Sequence, residues 1–193
     1  MADPAAPYPS ELERHARLAD GTAVFLRPIR PGDWRLLQWG FRRLSEEDVH
    51  FRFHGGMARL TDAVARRLAT VNYRDEIAFL ALSEERPRRQ GLGIVRLARA
   101  EAGTAEIALV LLPGWKRRGL GRLLAETALD WARARGFRQV IALLQQDNLG
   151  MRRLASSLGF TLAPMPDEPA LLRAELELSP SPLAGEGGGA AAG

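Results

Sequence analysis

The sequence predicts an α/β chain built on a mixed α+β sheet, with antiparallel strands first and a parallel strand–helix–strand crossover in the middle. Three observations carry this. A mainly apolar strand, Ala105-Glu106-Ile107-Ala108-Leu109-Val110-Leu111-Leu112, passes through a basic Gly-rich turn into a helix whose inner face is Leu120, Leu123, Leu124, Thr127, Ala128 and Trp131, at helical spacing. After Arg135-Gly136, the run Val140-Ile141-Ala142-Leu143-Leu144 is short and wholly apolar, as strands buried on both faces of a parallel pair are. Upstream, residues 77–82 and 92–98 read as two strands joined by a polar turn over 84–90, the pattern of an antiparallel hairpin.

The remaining elements follow in chain order. Residues 1–20 are Pro- and Ala-rich, then charged, and read as a flexible arm. Residues 22–29 are a first strand, ended by Arg30-Pro31-Gly32. Asp33 is placed to cap a helix running to about Leu44, with Trp34, Leu37, Phe41 and Leu44 at helical spacing. Ser45-Glu46-Glu47-Asp48 is a second start signal, leading to His50-Phe51-Arg52-Phe53-His54, and Gly55-Gly56 break the structure. Thr61-Asp62 opens another helix carrying Val64, Leu68 and Val71. Asp147 or Asn148 starts a helix to Leu158, closed by Gly159 where left-handed caps occur. Residues 160–162 and 171–178 form a last pair of strands, and residues 179–193 are Gly, Ala, Pro and Ser for the most part and read as a disordered tail. Residues 21–178 thus form one domain.

Composition narrows the function. The net charge is +4 and the sequence pI about 10.5. The positive charge is almost all arginine, with Lys116 the only lysine. Arginine binds phosphate bidentately and keeps its proton. Acids are interspersed through the chain, however, and no aromatic–basic alternation marks a nucleic-acid surface, so nucleic acid is disfavoured as a partner. The chain has no cysteine, which removes disulfides, thiolate metal sites and cysteine nucleophiles. No run approaches a membrane span and the first residues lack a signal peptide's pattern, so a cytoplasmic protein is expected. No serine-hydrolase elbow is present.

The central turn, Lys116-Arg117-Arg118-Gly119-Leu120-Gly121-Arg122, lies at a helix start. Free N–H groups there attract phosphate, glycines admit it, and arginines add charge-assisted bonds. A pyrophosphate-bearing ligand fits. The turn matches neither common nucleotide fingerprint: Leu120 stands where a P-loop needs lysine, and Leu124 where a dinucleotide site needs its third glycine. From spacing alone a phosphate cradle and a tight turn with solvated arginines both remain open.

The same residues resemble the acyl-CoA pyrophosphate loop of the GNAT superfamily of N-acetyltransferases, with its pattern Gln/Arg-x-x-Gly-x-Gly/Ala. Asn148 opening a helix that ends Leu158-Gly159-Phe160 is similar to that superfamily's downstream segment. The resemblance is closer to the bacterial Pat-type protein lysine acetyltransferases and covers roughly residues 17–178. It rests on Asp20-Gly21-Thr22 with Leu26-Arg27-Pro28-Ile29-Arg30-Pro31; on Leu44-Ser45 with Phe51-Arg52-Phe53; on Val71-Asn72-Tyr73 with Ala78; on Ala105-Glu106-Ile107-Ala108; and on Asn148, Met151, Leu154, Ala155, Leu158, Gly159 and Phe160.

The resemblance implies the GNAT fold, acetyl-CoA as co-substrate and no metal. It implies a lysine on a protein as acceptor, such as that of an AMP-forming acyl-CoA synthetase. It gives Glu106 as general base. A lysine amine has a pKa near ~10.4 and must lose a proton before it attacks; partial desolvation at the strand's start would raise the Glu106 pKa toward a useful range. The bland alternative is a strand-end carboxylate paired with an arginine such as Arg96, and Glu76 is the runner-up base. The cofactor strand is implied to splay from its parallel neighbour, freeing backbone groups of Leu109, Val110 and Leu111 for the pantetheine amides, with one N–H for the thioester oxygen. Lys116 to Arg122, Asn148 and Met151 complete the implied cofactor site. Attack by the free amine then expels the CoA thiolate by direct transfer.

Four residues depart from the pattern. Lys116 replaces Gln or Arg, Arg117 replaces a frequent glycine, and His50 replaces a tyrosine. Ala155 stands where many GNAT enzymes hold the tyrosine that protonates the thiolate, and a thiol pKa near ~8.5 makes that loss tolerable. Asn148 is otherwise a plain helix cap, and Arg52 contacts an acidic substrate or makes a structural ion pair. His50 and His54 lack a third ligand for a metal. Rival functions are a small-amine acetyltransferase and a non-catalytic acyl-CoA-binding sensor.

Overall fold

The computed structural model describes residues 6–53, 57–84 and 90–179. Eight strands, β1 (Arg14–Arg17), β2 (Ala23–Pro28), β3 (Glu76–Ser83), β4 (Gly91–Glu101), β5 (Thr104–Leu111), β6 (Gln139–Gln145), β7 (Thr161–Pro164) and β8 (Leu171–Glu177), form one sheet. Its order is β1-β2-β3-β4-β5-β6-β8-β7. Among the described residues only β5 and β6 run parallel; the other neighbours are antiparallel. Five α-helices among the described residues join them: α1 (Trp34–Phe41), α2 (Glu46–Phe53), α3 (Asp62–Ala69), α4 (Leu120–Ala134) and α5 (Leu149–Ser157). The predicted antiparallel meander and parallel crossover are both present.

Strand alternation divides the helices between two faces. The face carrying Leu109 and Leu111 receives α4, whose Gly121 lies against both side chains. Across β4 that face continues as Val95 and Leu97, each 0% exposed. The opposite face carries Leu80, Ile94, Ala108 and Val110, and it lies under Leu36 and Phe41 of α1, Phe53 of α2 and Leu68 of α3.

Local signals set the helix ends. The Thr61 hydroxyl accepts the Val64 N–H at 3.4 Å at the start of α3, and Asn148 Oδ1 accepts the Met151 N–H at 3.1 Å at the start of α5. Gly136 and Gly159 take φ of 74° and 90° just past α4 and α5. There Phe137 and Phe160 donate back to Ala132 and Ala155, each at 3.0 Å, and bury their rings in the core. Glycine alone takes such φ without strain, and the back-bonds satisfy orphan carbonyls.

Some elements differ from the sequence reading. Part of the supposed loose arm is laid on the sheet. Residues 14–17 pair with β2 as an edge strand, and Leu18 is buried. The strand Arg-His-Ala-Arg is mostly exposed, so no apolar alternation advertised it. Asp33 does not cap α1. Its carboxylate accepts both Arg27 guanidinium nitrogens and the Arg30 N–H, all at 2.7 Å; that bidentate ion pair outbids a cap. Helix α1 ends at Phe41 rather than near Leu44, and Val71 lies beyond α3. The expected break at Gly55-Gly56, the predicted tail beyond Ser179 and most of the 84–90 turn lie outside the described residues.

Candidate active site

The β5–β6 pair is short. Its register runs only from Thr104–Gln139 to Glu106–Ile141. Beyond that point β5 stays paired with β4 as far as Leu111, and β6 stays with β8 as far as Gln145. The two strands therefore part just after Glu106, and backbone groups on their facing edges lose their ladder partners. The Leu112 N–H donates to the Leu92 carbonyl at 2.9 Å, toward β4. In an antiparallel ladder this direction alternates residue by residue. Val110 therefore also faces β4, while the N–H and C=O of Leu109 and Leu111 face the gap. The expected trio is corrected in its middle member: Val110 offers its side chain to the opposite face, not its backbone to the gap.

The basic turn closes one end of that gap. Pro113–Trp115 form a 3-10 turn, Arg117 takes φ 59° and Gly119 φ 86°. Gly119 is the N-cap of the 15-residue α4 and no side chain caps the helix, so the first-turn N–H groups of Leu120, Gly121 and Arg122 have no intrahelical acceptor. The two glycines have different work. A Cβ on Gly119 would meet nothing, so its requirement is the left-handed φ. A Cβ on Gly121 would lie 3.3 Å from Leu154, 3.4 Å from Leu111 and 3.5 Å from Leu109. Its bareness seats the start of α4 against β5 and α5.

Most of the loop's cations already have partners. Lys116 Nζ lies 2.5 Å from Asp48 Oδ1. Arg118 donates to Asp20 at 2.8 Å and to the Thr22 hydroxyl at 2.7 Å, and its guanidinium covers the Trp115 ring at 4.4 Å. Hydrogen bonds from Thr22, then the Arg118 contact, pull Asp20 down to about 2. Arg122 bonds Glu126 at 3.0 Å and the Ser157 hydroxyl at 2.8 Å. Arg117 is exposed and has no hydrogen-bond or ion-pair partner among the described residues. Of the groups expected to bind phosphate, those still open among the described residues are thus Arg117 and the α4 N–H groups.

Glu106 stands where the strands part. Its side chain is exposed, which corrects the expected partial desolvation, and it makes no hydrogen bond or ion pair among the described residues. The Arg96 pairing weighed against a catalytic role is absent. Arg96 donates instead to the Glu76 carboxylate and the Leu68 carbonyl, which also commits the runner-up base. Asn72 Oδ1 fixes the start of β3 by accepting the Arg74, Asp75 and Glu76 N–H groups at 3.0, 2.9 and 3.0 Å.

Helix α2 supplies two residues whose place the sequence left open. Asp48, 6% exposed, holds Lys116 and accepts the Ser45 hydroxyl at 2.7 Å. The Ser45-to-Asp48 start signal was visible, but not which acid of three turns inward. One turn later Arg52 borders an apolar cavity. Burial above all, then the like charge of Arg96, pushes Arg52 down to about 10, against the opposing pull of Glu106.

The other expected residues sit at the far side of the gap. Asn148 is half-buried with its carbonyl oxygen engaged as the α5 cap, and Met151 packs at the core's margin. Ala155 is 7% exposed and brings no hydroxyl. His50 is exposed, His54 lies outside the described residues, and among the described residues no three metal-ligating side chains gather. No described helix is long and apolar enough to cross a membrane.

Comparison with known proteins bears on the family and the fold. A family model described as an acetyltransferase (GNAT) domain matches residues 23–161. Acetyltransferase PA5475 of Pseudomonas aeruginosa is 34% identical over 152 residues, 78% of this chain and 82% of that protein. Acetyltransferase Pat of Mycolicibacterium smegmatis is 28% identical over 141 residues, 72% of this chain but 41% of its own length. Among solved structures, the GNAT domain of S. lividans PAT superposes with a TM-score of 0.80 at 26% identity, covering 89% of this chain and 99% of that domain. Spermidine N-acetyltransferase from Vibrio cholerae, solved with CoA and spermine, shares the fold with a TM-score of 0.63 at 16% identity, covering 80% and 95%.

Proposed function

Because the chain belongs to the GNAT acetyltransferase family, we propose that it acetylates a lysine side chain of a protein, such as an AMP-forming acyl-CoA synthetase, by direct transfer with Glu106 as general base. The observation that carries this is the uncommitted Glu106 carboxylate at the point where β5 and β6 part. The competing carboxylate, Glu76, is bound to Arg96. The likeness to the PAT domain, over 89% of the chain, supports the lysine acceptor.

GNAT acetyltransferases use acetyl-CoA as co-substrate, and it supplies an acyl group already activated as a thioester. The residues present fit it. Leu109 and Leu111 offer unpaired backbone groups to the pantetheine arm along the gap, and a β5 N–H facing the gap stabilises the carbonyl oxygen as it gains charge. Arg117 and the N–H groups of Leu120, Gly121 and Arg122 receive the pyrophosphate. Glu106 takes the proton of the arriving ammonium, directly or through a water, so that the amine attacks uncharged. With Ala155 in place of a hydroxyl, the thiolate leaves without a protein acid and is protonated by solvent.

The test is transfer of labelled acetyl from acetyl-CoA to a synthetase, mapped by mass spectrometry, with Glu106→Gln in parallel. Label on one lysine, lost in the variant while acetyl-CoA still binds, is the expected result. Tight acetyl-CoA binding with no labelled lysine would overturn the acceptor assignment, and a small-amine panel would then find the acceptor or leave a sensor.

A further inference from the structure

The cavity between the sheet and helices α1 to α3 holds a charge that the transfer reaction does not use. Its volume is about 90 Å³, and its lining is apolar apart from Arg52 and Arg96. Arg96 is consumed by Glu76 and the Leu68 carbonyl. Arg52 has five N–H donors and no acceptor among the described residues; its guanidinium lies 5.1 Å from the centre of the Phe53 ring. A guanidinium left without an acceptor in apolar surroundings is costly, and Arg96 beside it adds repulsion. Glu106 attracts Arg52 across space but is exposed and makes no hydrogen bond to it. The Glu76–Arg96 pair is neutral, so the cavity presents one net positive charge.

That charge lies close to the chemistry. Ala108 and Val110 line the cavity and follow Glu106 on the same face of β5 at alternate positions. Building on the acyl-transfer reading, we propose that the cavity receives a carboxylate carried on a short aliphatic chain, with Arg52 as its counter-ion. The planar fork accepts a carboxylate bidentately, and the chain's methylenes cover the apolar lining. The small volume limits the chain to a few carbons. The carboxylate belongs either to the acyl group of the thioester donor or to the amine acceptor, and the two sources are separable.

Calorimetry on the full chain reads both with matched pairs. In one arm succinyl-CoA is compared with butyryl-CoA; in the other, 6-aminohexanoate with hexylamine in the presence of CoA. The carboxylate member of one pair is expected to bind about tenfold tighter or better, the discrimination of one charge-assisted pair. That pair names the source. Arg52→Met and Arg52→Gln should each equalise it. Equal affinities within both pairs of the unaltered protein overturn the proposal, as does a preference that survives both substitutions. Acetyl transfer to the protein acceptor, measured on the same preparation, keeps the two readings apart. Transfer without any carboxylate preference sinks this proposal alone; a preference without transfer supports it and sinks the lysine acetyltransferase reading.

Discussion

Arg117 joins a strained backbone to an exposed charge with no partner among the described residues, so replacing it by glycine should separate folding from cofactor binding. Its φ of 59° costs a non-glycine residue roughly 1–2 kcal/mol. Glycine removes that cost but gives back roughly 0.5–1 kcal/mol in chain entropy. The net effect of Arg117→Gly on stability is therefore about 0–1.5 kcal/mol favourable. In a domain of this size that raises Tm by at most about 6 °C, at roughly 2–4 °C per kcal/mol. Binding should move the other way. A charge-assisted hydrogen bond is worth roughly 1.5–3 kcal/mol, and the exposure of Arg117 argues for the lower end through solvent screening. Acetyl-CoA affinity should fall about tenfold. Titration calorimetry with acetyl-CoA, repeated with acetyl-pantetheine, which lacks the pyrophosphate, tests the assignment. The variant should weaken only the first. Arg122→Ala should change acetyl-CoA binding less, because Arg122 is held by Glu126 and Ser157. Unchanged acetyl-CoA affinity in Arg117→Gly, or an equal loss for acetyl-pantetheine, would refute the reasoning.

Glu106→Gln should lower kcat about 10²–10⁴-fold with the acetyl-CoA Kd unaltered, whereas Glu76→Ala should chiefly lower Tm, by leaving Arg96 unpaired at a cost of about 1–3 kcal/mol; a reversed pattern in steady-state kinetics and thermal melts would move the base to Glu76. Gly93→Ala places a Cβ 2.4 Å from Leu111 Cδ2 and 3.0 Å from the Val110 carbonyl oxygen. The side chain can yield but the backbone cannot, so overpacking of about 1–3 kcal/mol should appear as a melt lowered by about 2–12 °C; an unchanged melt would show that β5 gives way freely. Asp20 is held at about 2 in the folded chain, below its ordinary 3.8. A depressed carboxyl contributes stability above its unfolded pKa and loses it as pH falls through the folded one, so this anchor of Arg118 should release between about pH 4 and 2. Carboxyl NMR should find the midpoint raised more by Thr22→Val than by Arg118→Ala, and the opposite order would contradict the assigned causes.

The fold was legible wherever apolar periodicity and turn chemistry agreed. The β5–turn–α4 unit, the short apolar β6 and the glycine-closed α5 each carry their own signal, and burial against both faces of the sheet enforces it. Legibility failed where pairing was one-sided or polar. Edge strand β1 needs hydrogen bonds but little apolar surface, so its residues could be charged and still belong to the sheet. Asp33 shows the complementary limit. Its sequence position is that of a cap, but Arg27, far enough along the chain to be another element's residue, offers a stronger, bidentate partner.

The site divides along the same line. The backbone of the glycine-rich helix start was readable from local sequence, and the parting of β5 from β6 was expected only through the family resemblance. Side-chain-borne function was not readable, because each charge has several partners within reach and only packing selects among them. Lys116, Arg118 and Arg122 look alike in the sequence and end on three different elements or segments. Arg96 was available to either glutamate and took Glu76. That choice leaves Glu106 open to an incoming ammonium and Arg52 open to a carboxylate. Helix α2 ties these ends together: its Asp48 grips the basic loop through Lys116, while one turn on its Arg52 faces the cavity. Asp48 is itself steadied by the Ser45 hydroxyl, so the grip on Lys116 is fixed from the start of α2 and the proposed pyrophosphate contacts fall to Arg117 and the α4 N–H groups.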